Sequence, residues 1–269
     1  MSSDGNYIAI GVIIPGNEDG VSYAVAYLKN TRTLTGEVQN ADWISQVEGL
    51  VVDVAISDDG NYVAAATLRP PATVYYWAGA RSLSGEVDGS TWWGGEDVLF
   101  TSIDMSCDGD SVIAGAFQGV YFWDGARGMS GKPQDPTWTV DAEFVIDVAI
   151  NDAGTYMAAA TGGFLTSYFF DSSGVLKWSY PLGENEATNP ISISCDGRTL
   201  AVGTEGGGEV TTAYLFDTGF SDPCCGAAPV GGALTAVDGL AVLMPYLALL
   251  GVIAAVTVAV VISRKKPKN

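Results

Sequence analysis

Apolar and polar residues alternate in short runs along most of this chain. A run such as Val51-Val52-Asp53-Val54-Ala55-Ile56 leads into an Asp-Gly turn, and a run of small and apolar residues follows, as from Tyr62 to Thr67. An aromatic run comes next: Tyr75-Tyr76-Trp77, Tyr121-Phe122-Trp123, Tyr168-Phe169-Phe170 or Tyr214-Leu215-Phe216. A tryptophan then closes the unit, at Trp43, Trp92, Trp138 or Trp178. Period-2 patterning bounded by Gly and Asp predicts strands, and the 3.6-residue spacing of helices is absent. One stretch departs from this pattern. From Gly239 to Ile262 the chain carries 24 residues without a charge, which is long enough for a membrane-spanning helix.

The strand pattern repeats. SSDGNYIAIG from Ser2, SDDGNYVAAA from Ser57, SCDGDSVIAG from Ser106, NDAGTYMAAA from Asn151 and SCDGRTLAVG from Ser194 share one turn. Their turn glycines, Gly5, Gly60, Gly109, Gly154 and Gly197, are spaced 55, 49, 45 and 43 residues apart. A four-stranded unit at about this period is a propeller blade. Small residues recur six places after the turn glycine, at Gly11, Ala66, Gly115, Ala160 and Gly203, where inner strands crowd the axis. The predicted fold is therefore all-β: a β-propeller of four-stranded blades, about five of them visible, plus one C-terminal transmembrane α-helix. Residues 1–220 hold the repeats, 221–238 a Gly, Ala and Pro-rich stalk, 239–262 the helix and 263–269 a basic tail. Five second and five third strands are present, against four inner and four outer ones. The chain opens inside a blade with no signal peptide, so Met1 is expected to be an artificial or internal start, with one or more upstream blades and an export signal missing; the rival is a complete five-blade protein inserted by its tail, which would set the basic tail outside against the charge rule.

Composition narrows the chemistry. The 269 residues include no His, which excludes His-based triads, general bases and metal ligands. With 34 Gly, 10% aromatics and 16% charged residues, a helical bundle is disfavoured. The net charge of −19 divides unevenly: all 31 acids and eight of the 12 bases precede residue 239, which puts −23 there and +4 in the tail. Phosphates would be repelled, so no nucleic-acid partner is expected. The basic run Arg264-Lys265-Lys266 and Lys268 places the tail in the cytoplasm and the repeats outside.

Several residues are candidates for a site. Arg32, Arg81 and Arg127 recur in three similar loops between third and fourth strands, beside Thr35-Gly36-Glu37, Ser84-Gly85-Glu86 and Ser130-Gly131-Lys132. They would form a basic arc for an anionic ligand, or pair locally with carboxylates and aromatics; recurrence by blade favours the second reading. Asp53 and Asp147 sit seven residues before a turn glycine, and Asp104 lies two further in. Carboxylates at a channel mouth would hold a cation, or bind amides of the neighbouring blade, the commoner use of buried Asp in propellers. Asp58-Asp59-Gly60 looks like a calcium loop but is too short, and is expected to be a capped turn. The four outer tryptophans are expected to pack between blades rather than stack sugars, with Trp93 the exposed one. Cys107 and Cys195 sit on turns one blade too far apart to pair with each other. Cys224-Cys225 would form an interchain or vicinal bridge, with free thiols as the default. The longest second-to-third hairpins, Pro15–Gly20, Leu68–Ala72 and Glu205–Glu209, lie on the face opposite the Asp-Gly turns.

The repeat resembles the WD-repeat and quinoprotein-like (PQQ-like) propeller superfamilies. The stretch Phe170-Asp171-Ser172-Ser173-Gly174-Val175-Leu176-Lys177-Trp178 is similar to the D-x-x-T-G-x-x-x-W blade signature, with Ser173 at the Thr position. The pairing of these strands resembles archaeal cell-surface repeat proteins that end in one membrane helix and a basic tail. The resemblance implies fold over residues 1–220 and says little of activity. Departures are a vicinal cysteine pair placed after the last blade instead of inside a loop, and no calcium triad. The expectation is a membrane-anchored extracytoplasmic module that binds or scaffolds a protein or glycan partner, without cofactor or catalysis. The alternatives are a PQQ-dependent dehydrogenase-like enzyme and an envelope or surface-layer assembly component.

Overall fold

In four of the five repeats a Ser–x–Asp–Gly turn folds the same way. The Ser2, Ser57, Ser106 and Ser194 hydroxyls donate to the carboxylates of Asp4, Asp59, Asp108 and Asp196 at 2.6–2.8 Å. Each carboxylate also accepts the backbone N–H two residues on, at Asn6, Asn61, Asp110 and Arg198. The glycine between them supplies a φ near +70°, from 69° at Gly5 to 75° at Gly197. In the fourth repeat Asn151 replaces the serine and accepts from the N–H groups of Thr155 and Tyr156. These acids are turn caps, as expected.

The computed structural model describes residues 1–15, 21–34, 40–68, 73–95, 98–131, 133–162, 166–182, 186–206 and 211–225. Met1–Cys225 forms one compact unit. The expected membrane helix and basic tail fall outside the described residues, among which no helix is long and apolar enough to cross a membrane. Most of the long second-to-third hairpins also lie outside them.

Strands are numbered in chain order, and all pairs within a blade are antiparallel. Blade 1 contains β1 (Tyr7–Pro15), β2 (Val21–Lys29) and β3 (Trp43–Val47). Blade 2 contains β4 (Leu50–Ile56), β5 (Tyr62–Leu68), β6 (Val74–Ala78) and β8 (Trp92–Gly94). Blade 3 contains β9 (Phe100–Met105), β10 (Ser111–Ala116), β11 (Gly119–Asp124) and β12 (Trp138–Asp141). Blade 4 contains β13 (Val145–Ile150), β14 (Tyr156–Thr161), β15 (Thr166–Asp171) and β16 (Leu176–Pro181). Blade 5 contains β17 (Glu186–Ile193), β18 (Thr199–Gly206) and β19 (Thr211–Asp217). The short β7 (Gly85–Glu86), from the loop of blade 2, pairs in parallel with β3 and covers the outer edge of blade 1. Gly131 bridges Trp92 in the same way one blade on. Inner strands pack in series, β9 on β4, β13 on β9 and β17 on β13, while β4 packs on β1, the second strand of blade 1. The fold is a β-propeller-like series of five sheets.

The core consists of four clusters, one between each pair of successive blades. Third-strand aromatics and outer-strand tryptophans face the next blade and stack together, as Tyr27 on Trp43 at 5.2 Å and Tyr76 on Trp92 at 5.0 Å. The indole N–H groups of Trp43, Trp92 and Trp138 donate to Ala80 O, Ala126 O and Ser172 O of the following blade at 2.9–3.0 Å. The tryptophans are inter-blade packing, and Trp93 is half-buried rather than fully exposed. The small residues after each turn are equally constrained. A Cβ on Gly115 would sit 2.6 Å from Val145 Cγ1 and 3.0 Å from Val148 Cγ1. Gly115→Val is expected to cost about 1–3 kcal/mol by overpacking this junction. Exposed Gly128, with nothing within 4 Å of an added Cβ, is the control. Urea unfolding midpoints read the difference, and equal midpoints would contradict the packing described.

Candidate functional site

Asp53, Asp147 and Asp104 do come together, around the inner strands. Asp53 Oδ1 caps its own strand at Val54 N, while Oδ2 accepts from Ile103 N of blade 3 at 2.9 Å. Asp147 does the same for Val148 N and, across to blade 5, for Ile191 N at 2.8 Å. Asp104, displaced by two residues, accepts from Met105 N and from Ile150 N of blade 4 at 3.0 Å. Each carboxylate ties its blade to the next through a charge-assisted bond to a backbone amide. Ser102 links them: its hydroxyl lies 3.1 Å from Asp53 Oδ2 and 2.8 Å from Asp147 Oδ1. Ser102 stands seven residues before Gly109, the position that Asp53 and Asp147 occupy before theirs. That register signal was available in the sequence and the change of residue type concealed it. Carboxylates fixed in this way serve the blades, which is the hydrogen-bonding reading.

Burial pushes the Asp104 carboxyl up to about 7, helped by the charges of Asp53 and Asp147 and opposed by its two backbone donors. Asp147 is raised for the same leading reason. The folded chain thus holds a proton that the unfolded chain releases at about pH 4. Stability from this group is complete below that value and falls as pH rises to about 7. The acids held below the ordinary range, Asp4, Asp171 and Asp196, titrate under this window. The thermal midpoint is therefore expected to drop between pH 5 and pH 8, and Asp104→Asn to flatten that slope. Parallel slopes for the two proteins would contradict it.

The three arginines are not brought to one place. Each stands in a single 3-10 turn: Thr31–Thr33, Ala80–Ser82 or Ala126–Gly128. Arg127 is paired with Asp108 at 3.2 Å and Asp110 at 3.1 Å. Arg81 lies over the Tyr7 ring, 5.1 Å from its centroid. The Arg32 stem runs beside Gly5; the Asp4 carboxyl is held below the ordinary range first by the Asn6 N–H and the Ser2 hydroxyl, with the Arg32 charge a lesser help. There is no arc of free cations, because these turns are scaffolding: Ala80 and Ala126 are fully buried under the tryptophans of the preceding blade.

Arg81 nonetheless contributes to a cleft between blades 1 and 2 that the sequence did not signal. Tyr7, Lys29, Asn30, Asp59, Asn61, Arg81 and Ser82 line a volume of about 420 Å³. Asn61 stands where blade 3 has Asp110, so Arg81 lacks the carboxylate that engages Arg127. Lys29 donates to Leu83 O at 2.8 Å. Two cations, the Asp59 carboxylate, amides and a phenol ring make it a polar recess at the junction of blades 1 and 2.

The cysteines require a correction. Free thiols are not the state observed, nor do Cys224 and Cys225 pair with each other or with another chain. Cys107 is bonded to Cys225 and Cys195 to Cys224. As expected, Cys107 and Cys195 are not joined to each other. The residues two before the turn glycines form a backbone ladder: Ser3 N to Asp58 O, Asp58 N to Cys107 O, Cys107 N to Asp152 O and Asp152 N to Cys195 O. Residues 220–225 lie across this ladder. Phe220 packs on Tyr156, Asp222 accepts from Thr155, and Cys225 N donates to Asp152 Oδ2 at 3.1 Å. The adjacent cysteines reach in opposite directions, to blade 3 and to blade 5, and clamp blade 4 between them. Asp152, Cys195 and Cys224 are close enough to hold a metal, but both sulfurs are engaged in disulfides. The compact unit thus extends through Cys225, five residues beyond the last repeat.

No protein-family model matches this chain, and no curated protein matches it. Among solved structures it is similar to a chain of Kuenenia stuttgartiensis hydrazine synthase, with 16% identity and a TM-score of 0.55. The match covers 80% of this chain and spans 60% of the length of that one. At this identity the likeness concerns the fold alone: a β-propeller-like architecture.

Proposed function

We propose that this chain is a membrane-anchored extracytoplasmic β-propeller that acts as a non-catalytic binding or scaffolding module for a protein or glycan partner. The observation that carries this reading is the commitment of its central acids to inter-blade amides, beside a polar cleft lined by Lys29, Asn30, Asp59, Asn61 and Arg81 that offers hydrogen-bonding groups to a partner. Two disulfides support the compartment, since such bonds form and persist outside the cytosol. The uncharged stretch and basic tail support the anchor and its orientation.

Within the propellers, the quinoprotein-like class of archaeal cell-surface type is the affiliation favoured. Asp171 Oδ1 accepts from Ser173 N and Val175 N, Gly174 rests against the Trp138 ring, and Trp178 stacks on Phe169 at 5.4 Å. Each position of the blade signature therefore has a packing role. The test uses the full chain in mild detergent, immobilised and screened against a glycan array and envelope fractions. Saturable binding of one partner, without turnover, is expected. Oxidation of an alcohol or sugar after addition of PQQ and Ca²⁺, with no partner retained, would overturn the reading.

A further inference from the structure

We infer that the face opposite the Asp-Gly turns docks a basic, apolar-bearing segment of a partner protein on the rings of Phe117 and Phe144. This rests on the reading of the chain as a binding module, and commits it to a protein partner and to one face. Phe117 stands in the hairpin between β10 and β11, and Phe144 in the link between β12 and β13. They are 38% and 43% exposed, with ring centroids 4.8 Å apart. Neither belongs to a core cluster, whereas Phe100, Phe122, Phe169 and Phe170 do and are exposed by at most 1%. Blades 3 and 4 each have four strands, so the pair is not bared by an incomplete sheet.

The backbone fixes this exposure. Phe144 has a φ of 56°, a region that bulky side chains rarely adopt. Asn30 is the other non-glycine residue with positive φ among those described, and asparagine tolerates it. Phe117 N donates to Leu99 O, Phe144 N to Phe117 O and Gly162 N to Phe144 O, at 2.9–3.2 Å. A Cβ on Gly162 would lie 2.7 Å from the Phe144 ring. A strained residue is thus held by its neighbours with its ring outside the core, as at sites where strain serves recognition.

Charge selects the occupant. Among the described residues every base, Lys29, Arg32, Arg81, Arg127, Lys177 and Arg198, lies at the turn ends of the strands. The links on the opposite face carry Glu48, Asp141 and Glu143, all exposed, and the last two precede Phe144 by three residues and by one. A Lys or Arg side chain is drawn to the face of an aromatic ring and to carboxylates beside it. Apolar side chains of the same segment would cover the rest of the two rings. A neutral sugar fits less well, because it needs donors as well as acceptors and carboxylates only accept.

Fluorescence anisotropy of a labelled peptide of alternating Arg and Leu, titrated with the full chain in mild detergent, tests this. The wild type is expected to bind it saturably, and to bind the same peptide with Glu for Arg about tenfold less tightly or worse. Phe144→Gly removes the ring and suits the positive φ. Its affinity is expected to fall about tenfold, while its thermal midpoint stays at or above that of the wild type. Glu143→Gln is expected to weaken binding, and Glu86→Gln, an exposed acid on the turn face, to leave it unchanged. Partition of the peptide into detergent is common to all these proteins and drops out of the comparison. Unchanged affinity in Phe144→Gly, or equal losses in Glu86→Gln and Glu143→Gln, would overturn the inference, as expected of unspecific attraction to an acidic protein. A glycan or envelope protein retained equally by the wild type and by Phe144→Gly would also overturn it, and would leave the binding-module reading standing. Retention of nothing by either would count against both.

Discussion

Trp92→Ala is expected to lower the stability of the propeller by about 3–5 kcal/mol, the range for truncating a large buried aromatic. Trp92 is fully buried at the junction of blades 2 and 3, stacked on Tyr76 at 5.0 Å and tilted against Trp123 at 6.0 Å. Its indole N–H donates to Ala126 O at 3.0 Å, and Ala126 is itself fully buried. Alanine would leave a cavity at the outer strand and take away one of the two donors to Ala126 O, the other being Met129 N at 3.3 Å. Trp92→Phe separates the two contributions. It keeps most of the ring and removes only the donor, so a loss of about 1–3 kcal/mol is expected. Chemical denaturation of the three proteins gives the values. An alanine variant as stable as the wild type would show that the outer tryptophans do not hold the blades together.

The second large effect concerns the clamp. Replacing Cys107 and Cys225 by serine removes a bridge that spans 118 residues, and replacing Cys195 and Cys224 removes one that spans 29. Cross-links restrict the unfolded chain more when the loop they close is longer. The first pair is therefore expected to cost about 4–5 kcal/mol and the second about 3–4 kcal/mol. Both losses should appear as lowered thermal midpoints in non-reducing buffer, in that order. Reduction of the wild type should reproduce the combined loss. If neither pair of serines shifted the midpoint, the segment from Phe220 to Cys225 would not be the brace described.

Much of this fold was legible in the sequence because each blade repeats the same local chemistry. Glycine with positive φ after a capping Asp marks every first hairpin but the fourth, where Asn151 takes the capping role. The small residue six places on is dictated by the approach of the next inner strand, and is visible as Gly or Ala in all five repeats. The count of inner, second, third and outer strands also follows from the pattern. What could not be read depends on contacts between blades. Recurrence revealed Arg32, Arg81 and Arg127, but only the fold shows that Arg127 meets two carboxylates while Arg81 meets a tyrosine ring. One position differs between the two turns: Asp110 in blade 3 against Asn61 in blade 2. Ser102 was hidden because blade 3 carries a hydroxyl, which bridges Asp53 and Asp147, at the position that holds a carboxylate in blades 2 and 4. The disulfide partners were hidden because Cys224 and Cys225 lie outside the repeat, and their reach across the turn face is a tertiary property.

Residues 220–225 brace the turn face of the propeller-like fold, and the two disulfides they carry bear on the extracytoplasmic location we propose. Non-reducing peptide mapping of the full chain from its producing cells, with thiols alkylated before lysis, tests it most directly. The expected result is two linked pairs, Cys107 with Cys225 and Cys195 with Cys224, and no alkylated cysteine. Four alkylated cysteines, or a bond between Cys224 and Cys225, would contradict it.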